Sequence, residues 1–407
     1  MKTSLALSRA LWLVLALLAG SSCSDDPQSQ SSGLTEPVAS VDQPATAAAT
    51  IPLSFAQISA SSVFRHTCGV TTDNKAYCWG SGTLGDGQTQ SEPRLTPVAV
   101  AGGHLFRQID VGASYTCAAT TDNRAFCWGG NHAGQLGSES TRDQATPVPV
   151  STPFRFRHVA TGSGTTCGLS TENRVYCWGD SFRGKLGSGT SVETFNNGPT
   201  EIAGGRRYNQ VTSGWDHSCA LTTTNEIFCW GSNQYGQLGD ASTAKVRLQP
   251  VRVSGGRSYR QVSAGYKHTC AVTTTFRAIC WGFNPSGQVG DGSTLNRWEP
   301  RQVAGTVLFE RVTAGARHTC AESTDNRAYC WGANFSGELG TGNTTSSLKP
   351  VAVTGGLWFA QLTAGNQYSC GVTSDNRGYC WGANDQGTLG DGTTIARTRP
   401  TPVAGPN

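Results

Sequence analysis

The sequence predicts an all-β protein, a seven-bladed β-propeller of four-stranded blades with one disulfide inside each blade. A Cys-Trp-Gly motif recurs at intervals of 49 to 52 residues, with its cysteine at positions 78, 127, 177, 229, 280, 330 and 380. Such a period is typical of repeat folds whose units bury each other's faces. The 51 glycines and single methionine suit short strands and tight turns. Outside the N-terminal region, the fourteen cysteines form seven pairs with a constant separation of ten.

The N-terminus is expected to be an export signal over residues 1–22. Lys2 and Arg9 flank the start, an apolar run follows, and small residues precede Cys23. Cys23 stands where a bacterial lipoprotein carries its lipid. Gly20 replaces the aliphatic residue usual three positions earlier, so cleavage without lipidation stays open.

The remaining chain divides into a linker and the repeats. Residues 23–50 are rich in Ser, Gln, Pro, Ala and Thr and are expected to be a disordered tether, because they cannot bury enough apolar surface to fold. Residues 51–407 are expected to form the propeller. The chain is therefore expected to be exported, either as an outer-membrane or cell-surface lipoprotein anchored at Cys23 or as a secreted protein.

Each repeat predicts four short strands, as the fifth repeat shows. The first strand starts at Tyr259 and ends in Ser-Ala-Gly, whose small side chains suit a crowded place near the axis. The second and third strands form a hairpin around a polar turn, as at 72–74 in the first repeat. A short Pro-x-x-Val segment suits a fourth strand at an edge. Four strands in each of seven units describe a propeller.

The cysteine spacing predicts disulfides across these hairpins. Cys68 and Cys78 lie equally far from the turn centre at Asp73, so they face each other on adjacent strands. An oxidising compartment and the absence of Cys-x-x-Cys argue against a metal array, buried thiols or redox pairs. The predicted pairs are Cys68–Cys78, Cys117–Cys127, Cys167–Cys177, Cys219–Cys229, Cys270–Cys280, Cys320–Cys330 and Cys370–Cys380. Cys23 is left without a partner, as lipidation would explain.

The repeat motifs resemble a known family. HTCAVT, AYCWG, the series GQLG, GKLG, GELG, GQVG and GTLG, and the closing Pro-x-x-Val resemble the regulator-of-chromosome-condensation repeat from about Phe55 to Pro406. Its members include a nuclear exchange factor for a small GTPase, a plant ultraviolet-B photoreceptor and bacterial β-lactamase-inhibiting propellers. The resemblance implies a rigid disc that binds partners with one face. The photoreceptor's repeated Gly-Trp-x-His-Thr segments have one related instance here, at 214–218.

Two framework features follow from comparing the repeats. The Cys-Trp-Gly tryptophans recur too regularly to form a specific site and are expected to pack between blades. The first repeat lacks three residues between Trp79 and Leu84 that the last repeat has between Trp381 and Leu389. The sequence therefore predicts a notch in the rim at the first blade.

Candidate metal and catalytic groups are sparse. His66, His217, His268 and His318 each stand two residues before the first cysteine of a repeat, where Tyr or Thr stands in the others. Because Tyr and Thr can replace His at this position, we predict a hydrogen bond at a strand start and not a metal site. Aspartates after the GQLG motif lack the spacing of a calcium loop. Without a nucleophile motif or a carboxylate pair, we expect no metal, no cofactor and no enzymatic activity.

The candidate binding surface is the face on which the loops from strand one to two and from three to four emerge. These loops differ between repeats and are enriched in aromatic residues and arginine, which anchor protein interfaces. The predicted partner-binding residues are Phe64, Arg65, Tyr115, Trp215, Asp216, Tyr266, Lys267, Arg317, Asn366 and Gln367, with Trp298 farther from the axis. The alternative is a solvated surface without a dedicated partner.

These observations favour an extracytoplasmic scaffold, expected to be a monomer, that engages a protein partner through this face. The alternative is a carbohydrate or cell-wall binder that uses the same aromatic rings as stacking platforms. Exchange activity like that of the nuclear family member is disfavoured because an exported chain does not meet a cytosolic GTPase. A net charge of +4 gives no field for nucleic acid, and membrane contact is expected only through a lipid on Cys23.

Overall fold

A computed structural model describes residues 52–63, 65–89, 92–190 and 195–406. They form seven separate four-stranded antiparallel sheets, each built from four consecutive strands, which we number blades 1 to 7 in chain order. The strands are β1 (Phe55–Ala60), β2 (His66–Thr71), β3 (Ala76–Gly80), β4 (Arg94–Ala99), β5 (Phe106–Val111), β6 (Tyr115–Thr120), β7 (Ala125–Gly129), β8 (Gln144–Pro149), β9 (Phe156–Thr161), β10 (Thr165–Ser170), β11 (Val175–Asp180), β12 (Phe195–Glu201), β13 (Tyr208–Ser213), β14 (His217–Thr222), β15 (Ile227–Ser232), β16 (Val246–Arg252), β17 (Tyr259–Ala264), β18 (His268–Thr273), β19 (Ala278–Gly282), β20 (Arg297–Gln302), β21 (Phe309–Ala314), β22 (His318–Ser323), β23 (Ala328–Gly332), β24 (Ser347–Ala352), β25 (Phe359–Ala364), β26 (Tyr368–Thr373), β27 (Gly378–Gly382) and β28 (Arg397–Pro402). The predicted fold class is confirmed.

The first strand of every blade lies at the propeller axis. A narrow cavity of about 90 Å³ is lined by residues from the first strands of all seven blades, among them Ser59, Asp110 and Thr363. Because the strands are antiparallel, the loops joining strands one to two and three to four emerge on one side, which we call the loop face. The remaining connections define the opposite face.

The predicted disulfides are present in all seven blades. Cys68 pairs directly with Cys78 across the β2–β3 hairpin, and the other six hairpins have the same register. The bonded cysteines have Cα atoms 4.0 to 4.1 Å apart. All fourteen are fully buried, and those of blade 1 pack with Phe106 and Trp128 of blade 2. Each disulfide therefore holds its hairpin together and contributes to the apolar seam with the next blade.

The apolar core consists of the seams between blades. Between blades 4 and 5, for example, Leu221 and Ile227 pack against Tyr259, Val262 and Trp281. The seven Cys-Trp-Gly tryptophans are fully buried in such seams, as predicted. A blade thus buries its apolar faces only when both neighbours are present.

Glutamine side chains join neighbouring first strands around the axis. The carboxamide of Gln57 donates to the Ile109 carbonyl at 2.9 Å and accepts from the Ile109 N–H at 3.0 Å. Gln108, Gln210, Gln261 and Gln361 make the same pair of bonds to the next blade. Blade 3 has His158 in this place and blade 6 has Arg311. At blade 6 the Glu322 carboxyl accepts the neighbouring Leu362 N–H instead.

The ring closes without exchanging a strand, a point that the sequence left undecided. Blade 7 is built from β25–β28 and blade 1 from β1–β4. Gln361 pairs with Ile58 through the same carboxamide bonds that join other blades. The Tyr368 hydroxyl donates to the His66 carbonyl at 2.8 Å. The closing seam is therefore chemically like the seams inside the ring.

The seam between blades 3 and 4 lacks three kinds of cross-blade hydrogen bond that recur at other seams. His158 replaces the glutamine, and Ala160 replaces the hydroxyl or carboxylate side chain that in the other blades accepts an N–H of the next blade. The Thr165 hydroxyl donates within its own blade, to the Asp180 carbonyl at 2.8 Å. Within the described ranges, this is the one seam at which all three kinds of cross-blade bond are missing together.

Candidate binding face

A cavity of about 430 Å³ opens at the axis on the loop face. We call it the axial mouth; its lining residues are Ser62, Val63, Trp215, Tyr266, Ala316, Arg317, Asn366 and Gln367. Five of the residues predicted from the sequence are thus brought together around one cavity. They come from blades 4, 5, 6 and 7, and blade 1 contributes Ser62 and Val63.

In blades 4 to 7, a glycine at the start of the loop from strand one to two positions these side chains. The Tyr266 N–H donates to the Gly315 carbonyl of the next blade at 3.1 Å. A Cβ on Gly265 would lie 2.5 Å from that oxygen, so only glycine allows the approach. The Trp215 N–H donates to the Gly265 carbonyl at 3.4 Å in the same way. The repeated contact arranges successive loop residues around the mouth.

The apolar wall of the mouth is an aromatic pair. The ring centroids of Trp215 and Tyr266 are 4.9 Å apart, with their planes tilted by 38°. Both side chains are half-buried, so each keeps an exposed part. The Lys267 ammonium lies 5.0 Å from the Tyr266 centroid and 5.1 Å from that of Tyr235. This packing holds the aromatic rings and a cation beside each other at the cavity.

The polar side of the mouth consists of a cation and two amides. Arg317 is exposed, and Asn366 is fixed because its side-chain amide donates to the Val63 carbonyl at 2.8 Å. Gln367 lies in the left-handed region with a φ of 63°. No carboxylate lines this cavity in the part of the chain that the structure describes.

Tyr115 and Asp216 require a correction, because the structure buries both. Tyr115 is 0% exposed, and its hydroxyl donates to the Thr165 carbonyl at 2.6 Å. Burial raises the pKa of this hydroxyl. Asp216 is 5% exposed and accepts from the Gln237 side-chain amide at 3.2 Å. Tyr115 therefore stabilises a seam and Asp216 supports its loop, and neither side chain is open to a partner.

The other predicted residues lie apart from the mouth or cannot be placed. Arg65 is ion-paired with Asp385 and lines a neighbouring cavity. Trp298 lies on the fourth strand of blade 5, with the Lys245 ammonium 5.0 Å from its ring centroid. Phe64, Cys23 and the rest of residues 1–51 lie outside the described residues.

The predicted notch is present as a cavity of about 620 Å³ where blades 7, 1 and 2 meet. Arg65, His132, Asp143 and Asp385 contribute its charged and titratable side chains. The shortened loop of blade 1 has a second effect: the buried Trp128 Nε1 has no hydrogen-bond partner among the described residues. The sequence indicated the notch through the missing residues but not the side chains that line it.

The interior of the axial channel holds titratable groups that sequence analysis missed. Asp110, His158, Arg311 and Glu322 line a cavity of about 180 Å³. Burial lowers the pKa of His158 to about 4 and raises that of Glu322 to about 7. Glu322 stands where Val372 stands in blade 7, so the signal was a charged residue at a repeated apolar position.

The four strand-start histidines hydrogen-bond across seams, as predicted. His66 Nε2 lies 3.0 Å from Thr116 Oγ1, and the three others contact hydroxyls of the next blade at 2.8 to 2.9 Å. Among the described residues, no three His, Cys, Asp or Glu side chains are grouped to hold a metal ion. No helix within those residues is long and apolar enough to cross a membrane.

The family follows from a direct match. A family model described as the RCC1-like domain matches residues 23–310 and, in an overlapping match, 156–407. The chain belongs to the RCC1-like domain family. Two similar proteins are the probable E3 ubiquitin-protein ligase HERC4 of Homo sapiens, 40% identical over 83 residues, and the ultraviolet-B receptor UVR8 of Arabidopsis thaliana, 36% identical over 90 residues. These matches cover 20% and 22% of this chain but only 8% and 20% of the two relatives.

Solved structures share the fold of this RCC1-like chain. Human WBSCR16 gives a TM-score of 0.74 at 20% identity and covers 81% of this chain and 94% of its own. Prp20p of Saccharomyces cerevisiae gives 0.72 at 23% identity, covering 82% and 87%. The CRINKLY WD40 ectodomain of the Arabidopsis thaliana receptor kinase ACR4 gives 0.52 at 18% identity, covering 87% and 100%. At these identities the likeness extends to the fold alone.

Proposed function

We propose that this chain is an extracytoplasmic scaffold that binds a protein partner at the axial mouth and carries out no chemistry of its own. The observation that carries the proposal is the gathering of Trp215, Tyr266 and Arg317 at one cavity of the loop face. These residue types supply most of the energy in protein interfaces. They occupy loop positions that vary between repeats, whereas the framework positions recur from blade to blade.

The family supports a protein partner. The structure of Prp20p was described together with its binding to Gsp1p and histones, and yeast RCC1 was solved bound to Kap60. Partner identity does not transfer at 22 to 23% identity. Ligase and exchange activities are not proposed, because the matched stretches span only 83 to 90 residues of those relatives.

The extracytoplasmic location rests on the export signal expected over residues 1–22 and on the disulfides. Seven disulfides persist in an oxidising compartment and are rare in the cytosol. A related fold occurs in the ACR4 ectodomain. Intact mass before and after reduction and alkylation tests this part. We expect seven disulfides and a lipid increment on Cys23, whereas fourteen alkylatable thiols in an uncleaved chain would contradict it.

Binding at the mouth is tested by comparing variants on the two faces. Trp215→Ala combined with Arg317→Ala removes an aromatic and a cationic anchor. Trp358→Ala removes a tryptophan that is 59% exposed and precedes β25 on the opposite face. Proteins captured from the cell envelope by the wild-type chain should be lost with the double variant and kept with Trp358→Ala. Equal retention by all three would rule out the mouth.

A glycan ligand is the second candidate, favoured by the half-exposed Trp215 beside Tyr266, since such rings can stack on sugars. A glycan array separates the two functions. Saturable glycan binding that Trp215→Ala abolishes, together with no captured protein, would replace the protein partner with a carbohydrate.

A further inference from the structure

We infer that the axial mouth selects an acidic segment of a protein partner, one that presents a carboxylate next to an apolar side chain. The inference rests on the proposed function and specifies the chemistry of the partner. It follows from the distribution of charge over the loop face, from the donors at the mouth and from the shape of its wall.

Most cations elsewhere on the loop face are neutralised within the chain. Arg65 pairs with Asp385, Arg183 with Asp216 at 3.4 Å, and the Lys185 ammonium with Asp180 at 2.6 Å. Aspartates also pair with the arginines that follow the loops from strand three to four, as Asp240–Arg247, Asp291–Arg297 and Asp391–Arg397. These pairs neutralise six cations on or beside the loop face.

The two cations at the mouth differ from these. Arg317 lines the cavity and Lys267 lies beside it, and neither forms an ion pair among the described residues. The Lys267 ammonium contacts the faces of Tyr266 and Tyr235, which orient a cation without neutralising it. The carboxylate of Asp216 is buried and already engaged by Arg183 and Gln237. Among the described residues, two cations at or beside the mouth are therefore not neutralised by an ion pair.

The rest of the cavity wall suits the same ligand. Asn366 and Gln367 place amide groups on the side of Arg317, and the Trp215–Tyr266 pair forms an apolar wall. A carboxylate that enters can pair with Arg317, while an adjacent aliphatic or aromatic side chain packs on the rings. A basic segment would bring like charges together at the same point, which costs binding energy and excludes such partners.

Peptide selection tests this inference without a known partner. A random peptide library displayed on phage is panned on the immobilised full chain, and the enriched peptides are synthesised. We expect an excess of Asp and Glu beside an apolar residue. Arg317→Glu and Lys267→Glu should each weaken binding about 10- to 100-fold. Arg301→Glu, which reverses an exposed arginine on β20, should leave the affinity unchanged.

Two further readouts distinguish recognition of charge from loss of structure. A peptide whose acidic residue is replaced by lysine should regain affinity for Arg317→Glu, which a misfolded variant could not provide. Affinity for the wild-type chain should fall with added salt, because exposed charges are screened beyond about 10 Å at 0.1 M ionic strength.

Failure of the acidic-partner inference can be distinguished from failure of the proposed function. Enriched peptides that are neutral or basic, require Trp215 and bind the charge-reversed variants equally would overturn the acidic partner while leaving the mouth as the binding site. Peptides that bind Trp215→Ala as well as the wild-type chain, or no enrichment at all, would contradict the proposed function together with this inference.

Discussion

The indole nitrogen of Trp178 donates a hydrogen bond to the backbone carbonyl of Gln135 in the preceding blade, at 3.0 Å. Five other Cys-Trp-Gly tryptophans make the same bond at 2.8 to 2.9 Å. Trp128 is the exception, because its buried Nε1 has no partner in the part of the chain that the structure describes. The corresponding carbonyl belongs to Thr83, in the shortened loop that forms the notch. One missing loop turn therefore changes both a cavity and a buried hydrogen bond.

This pair allows a matched test of the hydrogen bond. Trp178→Phe and Trp128→Phe both replace a fully buried indole with a smaller phenyl ring, but only the first removes an indole hydrogen bond. We expect Trp178→Phe to lower the free energy of unfolding by about 1 to 2 kcal/mol more than Trp128→Phe does. Urea unfolding of both variants measures the difference. Equal losses would show that the bond at Trp178 contributes nothing net.

Removing one disulfide should destabilise its blade. In the double variant Cys167→Ala/Cys177→Ala, the closed loop between two cysteines ten positions apart is opened. We expect a loss of about 3 kcal/mol in the chain-entropy model. Hydrogen exchange should become faster in β10 and β11 before it does so in distant blades. Unchanged protection there would contradict the stabilising role, and Cys23→Ala, outside the repeats, serves as the control.

Stability should fall as the solution becomes acidic. Burial lowers the pKa of His66 and His217 to about 4 and that of His268 and His318 to about 3. Histidines of the unfolded chain have pKa values of about 6.5, so below that pH the unfolded chain binds more protons than the folded chain. The stability that these histidines contribute above pH 6.5 is therefore lost as the pH falls from 6.5 toward the folded-state pKa values. Each histidine contributes about 1.4 kcal/mol per pH unit in that window.

The buried carboxyl of Glu322 opposes this pH dependence of stability. Burial raises the pKa of Glu322 to about 7, so its contribution is present at low pH and is lost as pH rises toward 7. Burial also raises the pKa of Asp110 and Glu338, and it lowers that of a fifth histidine, His158, to about 4. Urea unfolding between about pH 7.5 and 5 should show a lower free energy of unfolding at the acidic end, because five histidines outweigh three carboxyls. His268→Gln should make the pH dependence shallower. A pH-independent free energy of unfolding would contradict the buried, neutral histidines.

Two substitutions at the seam between blades 3 and 4 should make the protein more stable. His158→Gln would supply the carboxamide that other blades direct at the next first strand, and Ala160→Ser would supply the missing hydroxyl. We expect each change to raise the free energy of unfolding by about 1 kcal/mol and to slow amide exchange in β13. Gln261→His removes the two carboxamide bonds to Val312 and should lower the free energy of unfolding. A loss on His158→Gln would mean that the seam is satisfied in another way.

The sequence predicted the blade architecture because the same pattern recurs in all seven repeats. Cysteine spacing predicted the hairpin register, and the missing loop residues predicted the notch. Burial at strand starts was harder to predict: Tyr115 follows a loop but belongs to β6, where it occupies the same position as His66. Long-range arrangements such as Glu322 with Leu362, or the three cavities along the axis, depend on ring closure and therefore required the structure.

Site-specific photo-crosslinking tests the central claim most directly. A benzophenone amino acid is placed at position 266, on the axial mouth, or at position 358, on the opposite face, in the otherwise wild-type chain. We predict one protein crosslinked from position 266 in intact cells, lost when Trp215→Ala and Arg317→Glu are added, and absent from position 358. Crosslinks from position 358 and none from 266 would show that the partner uses the opposite face and would contradict the account.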